Sequence, residues 1–220
     1  MGSAIVIGAG PGIGLSVAQR VAREGLPVGV IARADATVMA ALDVLAGHNA
    51  HGVVADATDE VALRGALDEI ADRLGPPELL VYNAALIRAD TIGELSTAQH
   101  LDAWAVNVVG AITAAAHMAP GMAARARGTI VITGGMPEPE PAYVSLSLGK
   151  AGVRTLVALL HGTYGDAGVH AASVTVLGEV APGTAFDPDD IAEHYWRLHT
   201  QPRAAWEHEI VHGPAEHGHR

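Results

Sequence analysis

Apolar residues in this chain fall into two patterns that take turns from one end to the other. Short unbroken runs at 4–7, 27–31, 51–55, 78–82, 128–133, 172–177 and 209–211 have the length and β-branched content of buried strands. Between them, stretches at 13–23, 38–45, 60–74, 96–126, 143–160 and 189–199 carry apolar residues at helical spacing. Thr58-Asp59-Glu60 is a start signal for the third stretch, Val61, Leu67, Ile70 and Leu74 mark its apolar side, and Gly75-Pro76-Pro77 stops it. The longest stretch holds Asn107, a poor helix former, in its middle, and its Pro120-Gly121 step predicts a local adjustment of the helix. Strand and helix alternating throughout predict an α/β fold. It is one doubly wound parallel sheet with helices on both faces and a ligand at the carboxyl ends of the strands. No Pro/Gly/Ser-rich linker interrupts the alternation, so residues 1–220 read as a single domain.

Composition narrows the partners. Half of the residues are hydrophobic and 17% are charged, enough to close a large core, which excludes a disordered chain. A formal net charge of −11 leaves nothing basic and extended to meet nucleic-acid phosphates. The apolar run at 108–116 is flanked by Asn107 and His117 and falls short of a membrane span, so no membrane partner is expected. Cysteine is absent, which removes disulfides, thiolate metal sites and a cysteine nucleophile. The first strand follows Met1 within three residues, leaving no room for a leader, and the expected compartment is the cytoplasm. Twelve histidines raise the question of a metal. His208 and His212 have x₃ spacing, but across a strand, where it does not converge two ligands, and His217 and His219 lie in a polar tail. No metal site is expected; His194, His199, Tyr195 and Trp196 read as a packed helix face.

The chemistry concentrates at the first strand–helix junction, Gly8-Ala9-Gly10-Pro11-Gly12-Ile13-Gly14. Glycines at 8, 12 and 14 let the backbone turn sharply and approach a pyrophosphate, which the N–H groups and dipole of the following helix then meet. A tight turn packed without ligand would use the same residues, but the position at the first βα junction favours a dinucleotide. Ala32 and Arg33 close the second strand, where an acidic residue would hold a ribose 2′-hydroxyl. An arginine accommodates a 2′-phosphate, so the expected cofactor is NADP(H); NAD(H) is the alternative if Asp35 does the ribose work.

Over nearly its whole length the chain resembles the short-chain dehydrogenase/reductase family. Gly8-x-x-x-Gly12-Ile13-Gly14 is similar to the family's cofactor loop, with Ile7 where its threonine usually stands. Asp56, with Ala57, falls where the family places an aspartate near the adenine, and Asn83-Ala84-Ala85 looks like its Asn-Ala-Gly motif. Asn107 matches its helix asparagine, Lys150-Ala151-Gly152-Val153 the surroundings of its catalytic lysine, and Asp187-Pro188-Asp189-Asp190-Ile191-Ala192 the start of its last helix. Glu209-Ile210-Val211-His212-Gly213 resembles its terminal strand. The resemblance implies a Rossmann-type fold, with Gly10, Pro11 and Lys150 also holding the cofactor, Gly178 forming the turn after the sixth strand and Val180 meeting the nicotinamide amide. It also implies a homodimer or homotetramer with the Lys150 helix as a contact, and a substrate lid that is short and open here, near 179–188.

Two departures bear on function. Counting back from Lys150, the family's proton-transferring tyrosine falls on Leu146 and its helper serine on Gly135. Neither can move a proton. Tyr143, Ser147 and Lys150 lie at i, i+4, i+7, so Tyr143 is a stand-in donor if it leans toward the nicotinamide, and a helix-start packing residue if it does not. Two functions follow. One is an oxidoreductase passing hydride between the nicotinamide and a small carbonyl or alcohol, with Lys150 and Asn107 holding the cofactor and a water chain and Tyr143 or water supplying the proton. The other is a non-catalytic cofactor-binding regulator or silent subunit of a hetero-oligomer.

Overall fold

A computed structural model of the chain describes residues 2–214. Seven strands, β1 (Ser3–Ile7), β2 (Val28–Ala32), β3 (Ala50–Val54), β4 (Pro77–Tyr82), β5 (Gly128–Thr133), β6 (Val169–Val176) and β7 (Glu209–His212), form one sheet in the order β3-β2-β1-β4-β5-β6-β7. Every pairing is parallel. The strand runs are apolar without alternation because both faces are covered. Ile5, Ile7, Leu80, Tyr82, Ile130 and Ile132 point to one face, and Ala4, Val6, Leu79, Val81 and Val131 to the other. The first set packs under α3 (Glu60–Leu74), α5 (Gly110–Ala124) and α6 (Val144–Tyr164). The second packs under α1 (Ile13–Arg23), α2 (Asp35–Val44) and α7 (Pro188–Thr200). The order reverses between β1 and β4, which opens a crevice at their carboxyl ends.

Several element boundaries differ from the sequence expectation. Helix α2 begins at Asp35 rather than 38, α6 runs Val144–Tyr164 rather than 143–160, and β6 starts at Val169. In α3 the apolar stripe is Leu63, Ala66, Leu67 and Ile70, a complete i, i+3, i+4, i+7 set, and Val61 is 81% exposed on the other side. The long helical stretch is α4 (Thr97–Trp104), a π turn (Ala105–Val109) and α5, and the adjustment falls at Asn107 instead of Pro120, which sits inside α5. Its cause is Tyr82, whose buried hydroxyl donates to the Val106 carbonyl at 2.6 Å. Contrary to the reading of the sequence, the run Thr97–Ala124 is long and apolar enough by length and composition to cross a membrane; 56% of that window is buried, with α5 against α3 and the sheet.

Several histidines are tied into this packing. His212 bonds His194 at 2.9 Å and the Ala185 carbonyl at 2.8 Å, His199 bonds Thr129, and His170 lies buried between two carbonyls and stacks on Trp206. His217 and His219 lie outside the described residues.

Tyr82→Phe leaves the Val106 carbonyl without its donor and is expected to cost about 1–3 kcal/mol. Val61→Ala, on the solvent side of α3, is expected to stay within about 0.5 kcal/mol of the native chain. Urea unfolding of the two variants measures both.

Candidate cofactor and active site

At the crevice the glycine turn is shaped by contact. A Cβ on Gly8, which has φ +86°, would lie 2.5 Å from the Ala84 nitrogen, and one on Gly14 would lie 2.2 Å from the Gly8 carbonyl oxygen. Between them Gly10 and Gly12 face open space, with nothing within 4 Å of an added Cβ, while Pro11 is exposed at the tip and Ile13 opens α1. Gly12 caps α1 without a side-chain hydrogen bond; the Leu15 N–H is taken by the Gly10 carbonyl at 3.2 Å, and the Ile13 and Gly14 N–H groups with the positive end of the dipole face the turn where an anion would sit. This cradle fits a pyrophosphate.

Asn83 holds the cradle. Its Nδ2 donates to the Gly8 carbonyl at 2.9 Å and its Oδ1 accepts the Thr133 hydroxyl at 2.8 Å. Thr133 has one proton to give, so the Tyr195 hydroxyl, 2.7 Å away, is the donor to Thr133 Oγ1. The side chain of Asn83 is thus engaged at both ends. What Asn83, Ala84 and Ala85 present to a cofactor is backbone. Asn107 is engaged in the same way, its Oδ1 accepting from Leu86 N at 2.8 Å and its Nδ2 donating to Leu86 O at 3.3 Å. At the neighbouring strand ends, hydrogen bonds from the Thr58 backbone and side chain, and then the positive charge of Arg33, hold the Asp56 carboxyl below its usual range. Arg33 is exposed and Ala57 half-buried beside them.

Lys150, the only lysine in the chain, is 7% exposed and donates from Nζ to the Thr133 carbonyl at 2.7 Å. Burial pushes its ammonium down to about 8, and no described carboxylate pairs with it. Leu146, one turn earlier, is buried. Gly135 has φ +151°, where an L side chain is strained, and its built Cβ lies 3.7 Å from Lys150 Cε. Arg154 fixes that turn by donating to the Gly135 carbonyl at 3.0 Å. Tyr143 is the N-cap of α6 and has φ −142°, outside the helix, so the i, i+4, i+7 face does not extend to it. Beyond β6, the Phe186 ring occupies the space above Gly178, 2.3 Å from a built Cβ, and Val180 packs against the α1/α7 layer. Residues 177–187 connect β6 to α7.

Three contributors went unread in the sequence. Asp90, 1% exposed, accepts from the Ser145 backbone at 3.0 Å and hydroxyl at 2.8 Å and so caps α6. Tyr195 closes the Asn83 network from α7. Gly149 leaves room for Asn107, whose Cβ lies 2.8 Å from a Cβ built there. Asp90 and Ser145 are 55 residues apart, and no local pattern joins them.

A doubly wound sheet with a glycine cradle at its switch point defines a dinucleotide-binding α/β protein. A short chain dehydrogenase family model matches residues 3–185, and the chain belongs to that family. It is 32% identical to galactitol 2-dehydrogenase (L-tagatose-forming) of Cereibacter sphaeroides, covering 82% of this chain and 70% of that protein. It is also 32% identical to cis-4-hydroxycyclohexanecarboxylate dehydrogenase of Sinomonas cyclohexanicum, over 84% and 74%. Among solved structures, an NADPH-bound short-chain oxidoreductase of Pseudomonas aeruginosa PAO1 containing an atypical catalytic center superimposes with TM-score 0.88 at 22% identity, covering 99% of this chain and 98% of that one.

The folded Lys150 titrates near 8 and the unfolded one at 10.5, so the unfolded chain holds the extra proton between those values and stability rises with pH across that window. Below it the burial cost is full. Lys150→Met keeps the apolar stem and is expected to be more stable than the native chain at pH 7, by about 2 kcal/mol. The gap is expected to shrink between pH 8 and pH 10 in thermal unfolding followed by circular dichroism.

Proposed function

We propose that this protein is an NADP(H)-dependent oxidoreductase acting on a small carbonyl or alcohol. The observation that carries this reading is the cradle: open space at Gly10 and Gly12 before the N-terminus of α1, with Arg33 placed beside Asp56 at the adjacent strand ends. A 2′-phosphate there gains the Arg33 charge, while Asp56 stays available to the adenine side. The relatives named above are dehydrogenases of hydroxylated compounds, and the Pseudomonas oxidoreductase was solved with NADPH, which supports the choice. When bound, the nicotinamide supplies or accepts hydride. In this reading Lys150, at the carboxyl end of β5, meets the nicotinamide ribose, and Gly178 and Val180 meet the nicotinamide from the turn after β6.

The chain lacks the family's tyrosine and serine, at Leu146 and Gly135, and this favours a second reading, a cofactor-binding protein without turnover. One pair of measurements separates the two. In a fluorescence titration NADPH is expected to bind more tightly than NADH, and Arg33→Ala to weaken NADPH by about tenfold while leaving NADH unchanged. A panel of small ketones and aldehydes then reports NADPH oxidation. Failure of either nucleotide to bind would falsify both readings; binding without turnover leaves the second.

We also infer self-association through the α4/α5 and α6 faces, where Leu101 is 63% exposed, Leu148 57% and Leu159 63%, around Trp104 and Ile112. These side chains line outer helix faces with no partner within the chain. Sedimentation velocity is expected to show a dimer or tetramer, and Leu148→Glu/Leu159→Glu to shift it to monomer with the circular dichroism spectrum unchanged.

A further inference from the structure

We propose that Lys150 is the general acid of this site, its ammonium group delivering the proton that a tyrosine hydroxyl delivers elsewhere in the family. The proposal rests on the oxidoreductase reading and assigns the step which that reading leaves open.

The first support is position. Lys150 is buried at the carboxyl end of β5, and the two places where the family carries hydroxyls adjoin it. Leu146 lies four residues back, one turn along the same face of α6, and both side chains are buried. Gly135 comes within 3.7 Å of Lys150 Cε at its built Cβ. Among Leu146, Gly135 and Lys150, only the lysine carries an exchangeable side-chain proton.

The second support is that neighbouring hydroxyls and amides are engaged elsewhere. Thr133 Oγ1 donates to Asn83, and Tyr195 donates to Thr133. Ser145 Oγ donates to Asp90 at 2.8 Å, and Ser147 Oγ exchanges hydrogen bonds with the Glu140 backbone. The Asn107 amide is closed on Leu86. Tyr143 stands seven residues before Lys150, about 10 Å along the helix axis and outside the helix itself. Lys150 Nζ, by contrast, has three protons and one hydrogen-bond acceptor, the Thr133 carbonyl.

The third support is electrostatic. Burial is the cause of the shift at Lys150; Arg154, one turn on, is bonded to the Gly135 carbonyl, Asp90 to the start of α6, and Tyr195 to Thr133. None forms an ion pair with the ammonium among the described residues. A buried cation without a counter-ion gives up its proton readily, and burial brings this one to about 8, within the range where a group both donates and recovers a proton. The chain also carries twelve arginines and this single lysine. Arginine does not deprotonate in proteins, so among the thirteen lysine and arginine side chains the one able to cycle a proton is the one buried in the site.

In the reduction direction the carbonyl carbon accepts hydride, with its electron pair, from the reduced nicotinamide. The C=O π pair moves onto oxygen, and that oxygen takes a proton from Lys150 Nζ, directly or through one water. The products are the alcohol, the oxidised nicotinamide and a neutral lysine amine, which solvent re-protonates. Oxidation of the alcohol runs the same transfers backwards.

The single lysine makes the test direct. In untagged protein labelled with ¹³C-lysine, the side-chain resonance belongs to Lys150 alone, and its titration in the cofactor-free protein is expected to centre near pH 8. For carbonyl reduction with NADPH, kcat/KM is expected to be level up to that pH and to fall tenfold per unit above it. Lys150→Arg keeps the charge but cannot release its proton, so kcat is expected to drop by about 10²–10⁴-fold while NADPH affinity from fluorescence changes only a few-fold. The residual rate should lose the fall above pH 8. Where arginine does not fold at this buried position, Lys150→Met serves for the kcat and pH measurements. A lysine titration near the ordinary value of 10.5, a pH-flat profile for the native protein, or a variant impaired in NADPH binding alone would each overturn the assignment. The oxidoreductase reading survives those outcomes. Absence of NADPH binding, or binding without turnover of any carbonyl, defeats the assignment through the failure of that reading instead.

Discussion

The glycine turn and the carboxyl ends of the central strands hang on Asn83. Its backbone N–H reaches the Ile7 carbonyl at 2.8 Å, its Nδ2 the Gly8 carbonyl, and its Oδ1 takes the Thr133 hydroxyl that Tyr195 backs from α7. One residue therefore ties the carboxyl ends of β1, β4 and β5 together at the place where the strand order reverses. The orientation of the amide is fixed, because turning it over would set a donor against the Thr133 proton and an acceptor against the Gly8 carbonyl. The glycine turn is held by the sheet before any nucleotide arrives. Binding then need not order it, which is how a rigid site gains affinity.

The same device recurs along the loop that leaves β4. Asn107 closes both ends of its amide on the Leu86 backbone, and Asp90 takes the first two N–H groups of α6, Val144 on its backbone carbonyl and Ser145 on its carboxylate. The segment is strung between two clamps across the mouth of the crevice. The first clamp depends on the π turn, since Tyr82 draws the Val106 carbonyl toward the sheet and the widened turn carries Asn107 at its centre. Gly149 completes the arrangement from α6, where any larger residue would press on Asn107. A misfit at any of these places would reach the cofactor cradle through the backbone.

Much of this was legible in the sequence, and the division has a physical basis. The strand runs, the glycine turn and the parallel order follow from local pattern: burial on both faces writes unbroken apolar runs, and a pyrophosphate turn writes glycines at fixed spacing. Arg33 at the end of β2 could be read for the same reason. What escaped was tertiary. Nothing near position 82 announces that a tyrosine hydroxyl will displace the expected adjustment from Pro120 to Asn107, and nothing near 90 announces a cap for a helix that begins at Val144. Val61 shows the limit within one helix, since its type suits the core but its phase on the helix puts it 81% in solvent, with Leu63 taking the inner place. Tyr143 was placed on the Lys150 face by counting, and counting fails where the backbone leaves the helix.

The two positions where the family resemblance implies hydroxyls are likewise more than two letters of sequence. At Leu146 the side chain is packed away, and at Gly135 the backbone has moved to φ +151°, where a serine would be strained, with Arg154 holding the carbonyl in place. Here the turn has settled around glycine, and the space a hydroxyl would occupy borders the aminomethylene end of Lys150. The Thr133 carbonyl keeps the ammonium there at 2.7 Å, on the strand whose hydroxyl fixes Asn83. The cradle and the lysine are thereby set by opposite faces of one residue: Thr133 orients the cofactor loop with its side chain and the lysine with its backbone. Redesign of the cradle therefore has to keep the Thr133 hydroxyl, whereas the lysine needs only a backbone carbonyl at that place.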